Sequence, residues 1–119
     1  MTNPNIYSSV TILGKTDALY VGTATASITS NPSGSNKVLK VNSLIVSNAS
    51  GSLDVDINVN LARGTSVYIV AKTVTIPADS SLVVLGRETP LYLNESDSLT
   101  LSASELSAAH AVCSYEELY

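Results

Sequence analysis

The chain has 119 residues, a formal net charge of −4 and charged side chains at only 13% of positions, with one cysteine and no Phe or Trp. Its six Lys and Arg are scattered, which argues against binding a phosphate backbone, and no apolar run approaches the length needed to span a bilayer. With Cys113 alone no internal disulfide can form, and without a basic-then-apolar leader synthesis without Sec export is expected.

One domain spanning residues 1–119 is expected at this length, burying about two-thirds of its unfolded surface. Its core must be built from Val, Leu, Ile and Ala, stiff side chains that suit strands. Ile6 to Leu13 reads as a first strand ended by Gly14-Lys15, preceded by a polar stretch (residues 1–9) expected to be an arm. Leu19 to Ile28 reads as a second strand, and Asn31-Pro32-Ser33-Gly34-Ser35-Asn36 as a breaker. Val38 to Asn48 changes phase, with Leu39 and Val41 on one parity and Leu44 and Val46 on the other. Either both faces are covered or a bulge shifts the register near Asn42.

Asn48-Ala49-Ser50-Gly51-Ser52 is expected to make a hairpin into residues 53–61, which alternate aliphatic and polar without error. That alternation puts Leu53, Val55, Ile57, Val59 and Leu61 on a core face and Asp54, Asp56, Asn58 and Asn60 on the opposite one. Arg63-Gly64 turns the chain into Ser66 to Ile76, where both parities are apolar at the start, so burial on both sides is expected there. Pro77 to Ser81 breaks that strand. Leu82–Leu85, Leu91–Leu93 and Leu99–Ala103 are short strands, Ser104 to His110 is compatible with one helical turn around Glu105-Leu106, and Ala111–Tyr115 is the last strand. Eight or nine short strands with frequent turns and almost no helix indicate an antiparallel β-sandwich or jelly roll.

Few residues suggest chemistry. His110 is the only histidine and no Gly-x-Ser-x-Gly elbow accompanies it, so a structural role is expected. One His and one Cys are too few for zinc, unless a symmetry axis shares the site, and Cys113 reads as a small buried hydrophobe. Asp54, Asp56, Asn58 and Asn60 form an oxygen row with neighbours about 6.5–7 Å apart. It reads as a solvated face or subunit contact, with calcium coordination or glycoside acid–base catalysis as functional alternatives. Asn94-Glu95-Ser96-Asp97 is a turn first and a cation loop second. Asn48-Ala49-Ser50 and Asn94-Glu95-Ser96 match the N-glycosylation pattern but read as turns. Glu116-Glu117-Leu118-Tyr119 reads as a solvated acidic end or a docking tail. No catalytic, cofactor or metal residue is therefore assigned, and no enzymatic activity is expected.

The stretch Asn31 to Asn48, followed by Asp54-Val55-Asp56-Ile57-Asn58-Val59, resembles small virion structural proteins of tailed bacteriophages, particularly those of cyanobacterial and marine phages. The likeness continues through Ala71 to Asp79, Leu91 to Leu99 and Ala111 to Glu117, and so covers most of the chain from about Gly22 onward. The resemblance implies a β-sandwich that binds other virion proteins, as a capsid decoration, neck or tail component or a fibre attachment. It further implies partners such as the major capsid protein and assembly in the host cytoplasm. The residues themselves suit a homo-oligomeric building block, since a Ser/Thr/Asn surface tolerates close neighbours and repeated weak contacts need no charged hot spot. The polar arm Thr2 to Tyr7 is expected to be one attachment. A competing expectation is a glycan-binding sandwich that stacks sugars on Tyr20, Tyr68, Tyr92 and Tyr119.

Overall fold

The computed structural model describes residues 11–86, 88–105 and 108–119. Nine strands run through them: β1 (Ile12–Val21), β2 (Ala26–Ser30), β3 (Val38–Asn48), β4 (Val55–Arg63), β5 (Ser66–Ile76), β6 (Ser81–Leu85), β7 (Leu91–Leu93), β8 (Asp97–Ala103) and β9 (Ala109–Leu118). They form two antiparallel sheets, a five-stranded one in the order β1-β9-β3-β6 with β7 also paired to β3, and a four-stranded one in the order β2-β8-β4-β5. The pairing is nested, because β1 pairs β9, β2 pairs β8, β3 pairs β6 and β7, and β4 pairs β5. With β6 and β7 counted as one interrupted strand, this is a long antiparallel hairpin wrapped over itself, the jelly-roll topology.

The unbroken alternation in β4 is what orients its sheet. Val55, Ile57 and Val59 are fully buried and join Leu99 and Leu101 of β8 in one cluster with Val41, Leu44 and Val46 of β3 and Ala111 and Cys113 of β9. Each buried Val, Leu or Ile of this cluster contributes roughly 1.5–3 kcal/mol by leaving water. The phase change in β3 is a bulge at Asn42, since Val41 pairs Tyr115 while Ser43 already pairs Ser114. The extra residue keeps Leu39, Val41, Leu44 and Val46 all facing the core. The break between β6 and β7 falls at the same level, for Leu85 lies opposite Leu44 and Leu91 opposite Val41.

Several boundaries differ from those read in the sequence. Gly14 and Lys15 do not end a strand: β1 passes through them because Gly14 and Lys15 keep their register against Glu116 and Tyr115. The segment Leu19 to Ile28 is two strands in different sheets, parted at residues 22–25 where the chain crosses the sandwich. Asn48 to Ser52 makes a crossing of the same kind and not a hairpin, as β3 and β4 also lie in different sheets. Leu53 belongs to that crossing and is exposed, while Leu61 is only half-buried. The start of β5 is exposed, because β5 is an outer strand of its sheet. Glu116 and Glu117 are not a solvated end: β9 continues to Leu118 between β1 and β3. His110 is already within β9, and of the expected helical turn Leu106 lies outside the described residues, as do the arm (1–9) and the first half of the strand expected from Ile6.

Two buried asparagines hold the crossings at opposite ends of the sandwich. Asn48 Nδ2 donates to the carbonyls of Leu53 (2.7 Å) and Ile76 (2.9 Å), and its Oδ1 accepts the Ser50 N–H (2.9 Å). Asn31 Nδ2 donates to the carbonyls of Lys37 (2.8 Å) and Leu93 (3.0 Å), while its Oδ1 accepts from Ser35 Oγ (2.6 Å). Each side chain thereby pairs one carbonyl of its own crossing and one at the end of a nearby strand.

Candidate binding surface

Residues directly opposite in an antiparallel ladder share a face, so the register lays out the two outer surfaces row by row. On the five-stranded sheet Ala18 lies opposite Val112, Val112 opposite Ile45, and Ile45 opposite Val83. Four apolar side chains thus form a continuous row across β1, β9, β3 and β6, roughly 14 Å long at the usual strand spacing. All four are exposed. On one flank stand Tyr20, His110, Ser47 and Ser81, on the other Thr16, Ser114 and Ser43. Tyr20 packs edge-on to His110, with ring centroids 4.9 Å apart, and both line a shallow depression with Ala18, Leu19, Ala111 and Val112. A further row carries Glu116 beside Lys40, with Glu116 Oε1 accepting from Asn42 Nδ2 at 2.9 Å.

The four-stranded sheet presents a different surface. Its outer rows are Asn58 with Ser102, Asn60 with Thr100 and Ile69, Ala62 with Val67, and Asp56 with Thr75, and the Asn58–Ser102 and Asp56–Thr75 pairs are hydrogen-bonded. Asp56 Oδ1 accepts from Thr75 Oγ1 (2.6 Å), Asp54 Oδ1 accepts the Ala78 N–H (3.3 Å), and Asn58 Oδ1 accepts the Thr73 N–H (2.9 Å). The last bond braces a bulge where Thr73 takes a left-handed φ of 50°. The oxygen row, which reads in the sequence as a solvated face or subunit contact with calcium or acid–base chemistry as alternatives, thus has Asp54, Asp56 and Asn58 engaged in cross-strand and turn bonds. Among the described residues no three His, Cys, Asp or Glu side chains gather as metal ligands would.

The second oxygen loop is also committed to the fold. Asp97 is buried and takes a bidentate pair from Arg63, Nε to Oδ1 at 2.9 Å and Nη2 to Oδ2 at 2.8 Å, while Oδ2 also accepts the Asn94 N–H. This partnership raises the Arg63 pKa above its ordinary value, first through the hydrogen bond and then through the charge of Asp97. A cation at this loop would have to displace Arg63. Glu95 turns Oε1 towards the Asn36 N–H at 3.4 Å.

Beneath the five-stranded sheet, one end of the inner face is polar. Glu117 Oε1 lies 3.2 Å from Lys15 Nζ and 3.3 Å from Lys37 Nζ, and Thr29 Oγ1 donates to Asp17 Oδ2 at 3.0 Å. Burial, then the neighbouring charge of Asp17, pushes the Tyr115 hydroxyl up to about 12, and burial also raises the Cys113 thiol. Cys113 is a buried core residue. Asp17 and Glu117 were missed as inward residues. Parity was the available signal: Asp17 is in phase with Leu19 and Val21, and Glu117 with Cys113 and Tyr115.

The four tyrosines weighed for sugar stacking are not brought together. Tyr20 and Tyr92 sit on different rows of the five-stranded sheet, Tyr68 lies on β5 of the other sheet, and the Tyr119 ring carries Lys37 Nζ at 4.7 Å. No family model matches this chain and no curated protein matches it. No helix among the described residues is long and apolar enough to cross a membrane.

Proposed function

We propose that this chain is a non-enzymatic structural protein of a tailed-bacteriophage virion, a capsid decoration protein that docks on other virion proteins, the major capsid protein first among them. The observation that carries this reading is the apolar row Ala18-Val112-Ile45-Val83, a surface that gains free energy when covered, flanked by Thr16, Ser114 and Ser43 on one side and by Tyr20, His110, Ser47 and Ser81 on the other. The jelly roll supports it more weakly, because the same topology serves capsid proteins, lectins and cupins. Where copies are joined to one another, their contacts with a particle add, so a modest row per copy contributes to attachment.

The test is particle composition. In purified particles of the phage that encodes the chain, it should occur in proportion to the capsid protein, whereas a neck or tail component would be present in few copies. Ile45→Glu should abolish incorporation while leaving the melting temperature of the free protein unchanged. Particles free of the wild-type chain would end the virion reading, and normal occupancy by the Ile45→Glu chain would remove this row from the attachment.

A further inference from the structure

Among the described residues the sandwich has open sheet edges, and they are not alike. An outer strand exposes alternate unpaired N–H and C=O groups and templates another strand unless something blunts it. β1 is guarded by inward-facing Lys15 and Asp17. β2 has only five residues and a bulge at Ile28. β6 and β7 have five and three residues, and Pro90 lies between them. The second half of β5 carries bulges at Val70 and around Thr73, with Lys72 between them. Its first half, Ser66 to Ile69, has no Pro, charge or bulge, yet Val67, Tyr68 and Ile69 are 62%, 54% and 62% exposed.

From this we infer that the first half of β5 is a self-association edge, where β5 of a second copy adds antiparallel and the two four-stranded sheets become one. The exposed ladder groups require an extended strand as occupant, and a two-fold contact requires a surface complementary to itself. Val67-Tyr68-Ile69 meets that requirement. With Tyr68 opposite its own copy, Val67 of each chain faces Ile69 of the other on the outer face, a β-branched pair of the kind that stabilises cross-strand contacts. Charge agrees as well, for the segment has none, so two chains of net charge −4 meet there without like charges in the ladder, and nearby Arg63 is neutralised by Asp97. This surface is separate from the apolar row of the other sheet, and the inference does not depend on the virion reading.

The experiment is oligomeric state by light scattering across a concentration series, together with cysteine crosslinking of the full chain. The wild-type protein should dimerise, and Ile69→Lys, at an exposed outer-face position, should weaken the dimer by about tenfold or more without changing the melting temperature of the dilute, monomeric protein. Opposed residues of an antiparallel pair have Cα atoms about 4.5–5.5 Å apart, within disulfide range, so Tyr68→Cys should crosslink under mild oxidation. Buried Cys113 supplies no competing thiol at the surface. Val83→Cys, on the outer face of the five-stranded sheet, should not crosslink. A protein monomeric at every concentration overturns the inference, as does a dimer that survives Ile69→Lys and is trapped by Val83→Cys.

Discussion

The outer faces of the two sheets are built on opposite terms. On the four-stranded sheet Asp56, Asn58, Thr75 and Ser102 bond across strands, so that part of the face is satisfied with water alone against it, and its exposed aliphatic residues, Val67 and Ile69, lie at the β5 edge. On the five-stranded sheet the corresponding central row is Ala18, Val112, Ile45 and Val83, while the inner side of that sheet carries Asp17, Lys15 and Glu117 at one end. Polarity that normally points to water points inwards there, and apolar side chains point out. The centre of one face is bonded to itself and the centre of the other is not, which is why the second carries the proposed attachment.

The widest separation is between an isoleucine under the polar face and one on the apolar face. Ile57→Ala should lower stability by about 2–5 kcal/mol, because it empties a fully buried site. Ile45→Ala should cost under about 1 kcal/mol. Urea melts of the two variants check this, and equal losses would mean that the Ile45 row is core and not surface.

A smaller contrast concerns the outer faces themselves. Asn58→Ala removes the acceptor of the Thr73 N–H at the β5 bulge and should cost about 1 kcal/mol. Val112→Ala should change stability by less than about 0.5 kcal/mol. If Val112→Ala proved the more damaging, the division between a structural and a binding face would fail.

The smallest effect distinguishes the two sides of the five-stranded sheet. Tyr115 is held at about 12 in the fold, above the roughly 10 of a free tyrosine, so in that interval the unfolded chain releases the proton first. The stabilisation is whole below pH 10 and is lost as the pH climbs to about 12. The fall in melting temperature between pH 9 and pH 11 should therefore be shallower in Tyr115→Phe than in the wild type. Identical falls would show that the polar end of the inner face does not hold this hydroxyl neutral.

Where a local pattern carries the physical cause, the sequence was legible. Alternation from Val55 to Val59 orients β4 because side-chain direction has period two, and the parity switch around Asn42 marks a bulge for the same reason. The oxygen row and the Asn94–Asp97 loop were visible as groups of residues. Their commitments were not, because the partners of Asp97 and Glu117 lie far along the chain, Arg63 34 residues away and Lys37 80 residues away. The apolar row was illegible altogether: Ala18, Ile45, Val83 and Val112 come from four strands and become neighbours only through register.

Period two, stiff aliphatic residues and frequent turn residues were enough to determine an all-β sandwich, since each acts within a few residues of itself. Turn composition could not tell a hairpin from a crossing, and the Arg63-Gly64 turn stays within one sheet while Asn48 to Ser52 changes sheets. That choice depends on which strand is already paired with which, a property of the nested ladder as a whole. Only the tertiary structure could therefore decide that the start of β5 is an open edge among the described residues and that one apolar row of the five-stranded sheet faces outwards, because exposure is a relation between distant strands and not a property of any one of them.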